Sequence, residues 1–176
     1  MFIDSKKAEE QAVLNTAYAI CAAARTAPKA RGVDHTDTAI ITGEDKQKLA
    51  DEMRRMGEAL SSPFLSRDSK NIEACAAVVL IGTKSVPRGL NELCTACGFS
   101  NCAACTDAGA KCVFTSMDLG IALGSAAAIT ADNRIDNRMM FTIGKAAASL
   151  GLMGEYNLIV GIPLSVSGKS PFFDRG

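Results

Sequence analysis

The chain has one histidine, no excess of either charge and no long uncharged apolar run. Each shortage removes a class of function. A single His35 rules out a histidine-rich metal site. Lys plus Arg and Asp plus Glu stand at 19 each, so no global field draws in nucleic acid or an anionic membrane. The N-terminus, "MFIDSKKAEEQ", is polar and acidic where a signal peptide needs a basic start and an apolar run, and no window reaches the roughly 18 uncharged apolar residues of a membrane span. A cytoplasmic protein with no nucleic-acid or membrane partner is expected. No low-complexity linker and no repeat beyond the tetrapeptide spacing of "ADNRIDNR" divides the 176 residues, so one domain, 1–176, is expected. A phosphate-binding loop is also missing. "GKS" in the tail has Pro163 where the motif needs its first glycine, and only six residues follow Ser170.

What is abundant is cysteine, and it is concentrated. Five of the seven cysteines lie in "CTACGFSNCAACTDAGAKC", residues 94–112. Cytosolic thiols are kept reduced, so such clustering points to metal or redox chemistry ahead of a disulfide framework. Cys94-x2-Cys97 is followed after four residues by Cys102-x2-Cys105. Zinc ribbons separate their two knuckles by about 15 to 20 residues, whereas iron–sulfur ligation tolerates a single wrapped loop. Cys97, Cys102 and Cys105 even reproduce the C-x4-C-x2-C run of plant-type ferredoxins. The spacing favours an iron–sulfur cluster, with zinc and thiol redox chemistry as the remaining readings. Cys21 and Cys75 read as small core residues.

Along the chain, Val13, Ala17, Ile20, Cys21 and Ala24 share one helical face over 8–26, with Glu9 and Glu10 read as its first turn, and Pro28 ends the helix. Arg25, Lys29 and Arg31 leave that helix end together. They read equally as cations completing a helix terminus and as a phosphate-binding loop. "DTAIIT" predicts a strand, Leu49, Met53, Met56 and Leu60 a helix, and "AAVVLIG" a buried strand. "MDLGIALGSAAAITA" predicts a helix with Gly120, Gly124 and Ala128 as a small-residue stripe for core or dimer packing. Asp136 is expected to cap a further helix, ended by Gly151 or Gly154, with Arg134 and Arg138 at its start. "YNLIVGI" is a last strand. Three strands among helices predict an α/β or α+β fold around one central sheet.

"CTACGFSNC" is similar to the C-x-x-C-G-[FY]-x-x-C opening of four-iron cluster domains. Together with "AARTAPKARG", "VVLIG", "DLGIALGSAAAITADNRIDNRMMF" and "GIPLSVSGKSPFFDR", it resembles the DUF2148 family of ferredoxin-domain proteins over nearly the whole chain. That resemblance implies a 4Fe-4S cluster on Cys94, Cys97, Cys102 and Cys112, with Cys105 as the extra thiol. "ARTAPKARGVDHTDTAIITGEDKQKLADEM" and "DLGIALGSAAAI" are similar to segments of FMN-dependent nitroreductases. Here Lys29 stands for the serine of their Ala-Pro-Ser turn, and their N-terminal pair of arginines is missing. The second resemblance implies an α+β nitroreductase-like sandwich with the cysteine loop 94–112 inserted before the Gly-rich helix, a homodimer, and an FMN phosphate near Arg25, Lys29 and Arg31. It would make the chain an oxidoreductase acting with a redox partner protein or on a small-molecule substrate. A plain metal-binding or electron-carrier module is the competing expectation.

Overall fold

A computed structural model describes residues 1–173. Its centre is an antiparallel sheet of four strands, β1 (Thr36–Ile41), β2 (Ala77–Thr83), β3 (Asp136–Asn137) and β4 (Leu158–Ser165), in the spatial order β1-β2-β4-β3. β2 is buried throughout, and its alternating residues serve two cores. Ala77, Val79 and Ile81 face one helical layer while Val78 and Leu80 face the other, the period-2 rule of a strand covered on both sides.

The first layer holds α1 (Ser5–Thr26) and α5 (Val113–Asp132), which pack Val13, Ala17, Ile20 and Ala24 against Leu119, Ala122 and Ala126. The second holds α2 (Gly43–Ala59), α3 (Pro63–Ala74) and α6 (Phe141–Ser149), with Leu49, Met53, Ile72, Ile143 and Ala147 in its core. The expected α+β sandwich is therefore present. The cysteine segment leaves β2, passes through a short helix α4 (Cys102–Asp107) and returns at the start of α5.

Local expectations differ at several points. α1 begins at Ser5, where the Asp4 side chain accepts from the Lys7 backbone N–H at 2.8 Å, so Glu9 and Glu10 lie beyond the first turn. α3 breaks the apolar pattern by burying Asp68 and Ser69 beside Leu65 and Ile72, so hydrophobic periodicity does not reveal it. Asp136 does not cap a helix. It pairs with Ser165 in β3, and α6 starts after Met140, whose backbone bridges to Gly161. Gly120, Gly124 and Ala128 are not in the core either: all three are exposed, with no atom within 4 Å of a Cβ built at either glycine. α5 is also, by length and composition alone, apolar enough to cross a membrane. In the fold its buried side packs on α1 and the sheet, and it buries Asp118, Thr115 and Thr130.

Candidate metal centre

The cysteine segment is shaped by backbone turns. Asn91, Thr95, Gly98 and Gly109 have positive φ, and the Gly98 N–H closes a turn on the Thr95 carbonyl at 2.9 Å. Asn101 caps α4 by accepting from the Ala104 N–H at 2.9 Å, which places Cys102 in the first turn and Cys105 one turn later. Cys112 is the N-cap of α5, immediately before its first residue.

The segment thereby brings all five cysteines to one cavity, closed by Pro87, Asn91, Phe99 and Val113. Cys105 and Cys112 are buried, while Cys94, Cys97 and Cys102 are half-buried. Cys102 Sγ accepts from the Asn91 backbone N–H at 3.4 Å. Burial, a hydrogen bond with Cys97 and the neighbouring thiols of Cys97, Cys112 and Cys102 all push the Cys105 thiol up. Cys105 thus lies among the others. Among the described residues no three His, Cys, Asp or Glu side chains form a group that could hold an ion, so the thiols share a cavity without standing at ligand spacing. Cys21 and Cys75 lie away from it, packed on the two hydrophobic cores.

Sequence reasoning missed the partners beneath this cavity. Arg88 donates through Nε and Nη2 to Asp118 Oδ2 at 3.1 and 2.7 Å, and both residues are buried. The available signal was Asp118 itself. A carboxylate on the face that carries Leu119, Ala122 and Ala126 inward needs a cation.

The basic turn lies against this base. Lys29 Nζ donates to the Arg25 and Ala27 carbonyls at 2.7 and 2.9 Å, and Arg25 pairs with Asp34 at 2.6 Å. Arg31, at φ 59°, donates through Nη1 to the Arg88 carbonyl at 2.6 Å. All three cations thus contact acceptors of the chain itself. Arg138 lies elsewhere, in a cleft of about 350 Å³ on the α3/α6 side with Phe64, Arg67, Asp68, Phe141 and Thr142. Asp68 accepts there from Arg67 and from Thr142 Oγ1. Arg134 is exposed. His35 contributes its carbonyl to the Lys84 N–H at 3.0 Å.

Comparison with known proteins agrees with this architecture. The family described as an uncharacterized protein containing a ferredoxin domain (DUF2148) matches residues 108–175, which include Cys112 but not the four earlier cysteines of the loop. An uncharacterized protein of Archaeoglobus fulgidus is 38% identical over 183 residues, covering 99% of this chain and 98% of its own. Among solved structures, a BluB-like flavoprotein from Clostridium difficile 630 superposes with a TM-score of 0.62 at 14% identity, over 96% of this chain and 83% of its own. A nitroreductase with bound FMN from Desulfitobacterium hafniense DCB-2 gives 0.60 at 15% identity, over 88% and 78%. Nitroreductase CinD from Lactococcus lactis gives 0.57 at 19%, over 98% and 86%. At these identities the likeness shows the fold, which is nitroreductase-like.

Proposed function

This chain belongs to the DUF2148 family of ferredoxin-domain proteins, and on that premise we propose that it is a redox protein carrying an iron–sulfur cluster, of the 4Fe-4S type, on Cys94, Cys97, Cys102 and Cys112. The observation that carries the reading is the convergence of the five thiols of segment 94–112 on one cavity. The donor set fits a thiophilic centre: it is all sulfur, and the loop between α4 and the 3₁₀ turn Asn91–Leu93 is irregular enough to draw its sulfurs inward. A bound cluster supplies one-electron transfer. The chain's own residues set the conditions for it. Cys112 sits at the N-terminus of α5, the Asn91 N–H donates to the Cys102 sulfur, and Phe99, Pro87 and Val113 line the cavity around the thiols.

The test is metal, sulfide and zinc analysis of protein purified without oxygen. Brown protein containing iron and sulfide is the expected result, and colourless protein containing zinc overturns it in favour of a metal-binding module. Serine at Cys94, Cys97, Cys102 or Cys112 should each lose most of the metal, while Cys105→Ser and Cys21→Ser keep it. Retention in Cys112→Ser with loss in Cys105→Ser exchanges the fourth ligand.

A flavin partner for the cluster is the finer part of the proposal, supported by a fold shared with a flavoprotein and with a nitroreductase that holds FMN. The phosphate would sit at Arg25, Lys29 and Arg31, where it has to compete with Asp34 and with the α1 carbonyls already held there. Alanine at both Arg25 and Arg31 should then abolish FMN binding, read by fluorescence titration. Loss in Arg138→Ala alone transfers the phosphate to the aromatic cleft. The electron acceptor is a partner protein or a small molecule. A homodimer forms through α5, where Met117 and Ile121 are exposed beside the open Gly120 and Gly124.

A further inference from the structure

Arg88 stands six residues before Cys94, and Asp118 six residues after Cys112. They are 30 residues apart in sequence and joined by two hydrogen bonds at the point where the cysteine segment leaves and rejoins the fold. Among the described residues this is the one ion pair with both side chains buried, at 2% and 3% exposure. Every carboxylate oxygen is engaged, because Asp118 Oδ1 accepts from the Ala30 N–H at 2.9 Å. The same two stems are tied a second time. Arg88 Nη1 and Thr115 Oγ1 both donate to the Val86 carbonyl, at 2.9 and 3.4 Å, and Arg31 holds the Arg88 carbonyl from the other side.

We infer that Arg88 and Asp118 are positioning residues that clasp the base of the cysteine loop, so that its thiols are gathered at one cavity before a metal is bound. The inference rests on the metal reading proposed above. A buried ion pair is weak evidence for stability, since removing two charges from water offsets most of their attraction, and its best-attested use is to specify one arrangement. Here the arrangement is the closure of a 30-residue span whose regular structure is a 3₁₀ turn at Asn91–Leu93, the six-residue α4 and the first turns of α5. Without the clasp, ligand binding must itself close the span, and that ordering cost appears as lost affinity. Neither residue touches the metal.

The test uses metal-free full-length protein titrated anaerobically with Co²⁺, whose thiolate charge-transfer and d–d bands report the number and geometry of sulfur ligands. The double variant Arg88→Met/Asp118→Asn removes both charges, while the amide oxygen of the introduced side chain can still accept from the Ala30 N–H. It should fold, by far-UV circular dichroism, and bind Co²⁺ roughly tenfold to a hundredfold more weakly, the range for residues that orient ligands from behind. The d–d bands should shift as well. Unchanged affinity and unchanged bands in the folded variant overturn the clasp, because a merely structural role would move the melting temperature alone. Should the double variant fail to fold, Arg88→Lys keeps the charge but loses the two-pronged geometry. Weakened binding in Arg88→Lys supports the clasp, and wild-type affinity overturns it. Wild-type protein without thiolate bands overturns the metal reading and the clasp's role with it, whereas bands in the wild type with an indifferent variant overturn the clasp alone.

Discussion

At Cys75, burial between α3 and the sheet pushes the thiol up to about 11, against a smaller opposing effect of Lys46. At pH 8 about one molecule in a thousand then carries the reactive thiolate. Burial pushes Cys105 up too, while Cys94, Cys97 and Cys102 reach the surface. Brief treatment of metal-free protein with iodoacetamide at pH 8 should therefore label Cys94, Cys97 and Cys102 and spare Cys75 and Cys105, as read by peptide mass spectrometry. Thr36 and Thr83 are a different residue-level case. They face each other across β1 and β2, both buried, and neither hydroxyl has a hydrogen-bond partner. Replacing both by valine keeps the shape and removes two unpaired polar groups, so the double variant should match or exceed the wild type by about 1 kcal/mol in urea unfolding. Removing Arg88 alone is the opposite case, since Asp118 would be left charged and buried. A loss of about 3 to 5 kcal/mol is expected by the same measurement.

Between elements, α6 lies so close to β4 that a Cβ at Gly144 would stand 1.7 Å from the Ile159 carbonyl oxygen. Gly144→Ala should push the helix off the sheet and lower stability by about 3 kcal/mol. On α5 the same substitution at Gly120 meets open space, so helix propensity should raise monomer stability by up to about 1 kcal/mol. α2 and α6 are joined by Glu52, which accepts from Arg55 Nε and Nη2 at 2.7 Å and from Ser149 Oγ at 2.6 Å. Arg55 first, then Ser149, holds the Glu52 carboxyl down at about 2, from an ordinary 4.5. A depressed carboxylate stabilises the fold above its unfolded pKa and stops doing so as pH falls through the folded one. Wild type should thus exceed Glu52→Gln by about 1 kcal/mol at neutral pH, a modest figure because Arg55 is well exposed. The advantage should shrink as pH drops from about 4.5 to about 2 in urea titrations.

Over the whole molecule, the basic turn follows α1 on one side of the sheet, and the Phe64/Phe141 cleft lies on the other. A single copy therefore offers its cationic turn and its aromatic cleft to different surroundings. The exposed Met117 and Ile121 and the open Gly120 and Gly124 lie on α5, the helix that follows Cys112 and holds the basic turn through the Ala30 N–H on Asp118. A Cβ at Gly124 meets no atom within 4 Å, so Gly124→Leu should be tolerated by the monomer and convert the proposed dimer to a monomer in sedimentation velocity while leaving the circular dichroism spectrum unchanged.

The helices and strands with a clean period were legible in the residues themselves. α1, α2, β2 and β4 expose their buried positions through spacing, because packing on a layer repeats the geometry of the element. The crowding of the cysteines likewise foretold that the thiols gather at one cavity, while the family was announced by the resemblance of longer segments. α3 was hidden because Asp68 and Ser69 occupy its buried side, where partners supplied by other elements, such as Thr142, make polar groups tolerable. The two-residue β3 was hidden because a strand that short has no period of its own. Whether a small-residue stripe faces inward or outward depends on which neighbour covers it, and only the packed structure puts Gly120 and Gly124 outside. The Arg88–Asp118 clasp belongs to the same kind of knowledge. Its two residues are 30 positions apart, Asp118 on the inward face of α5 signals only that some cation must meet it, and the tertiary structure alone brings Arg88 to it out of water.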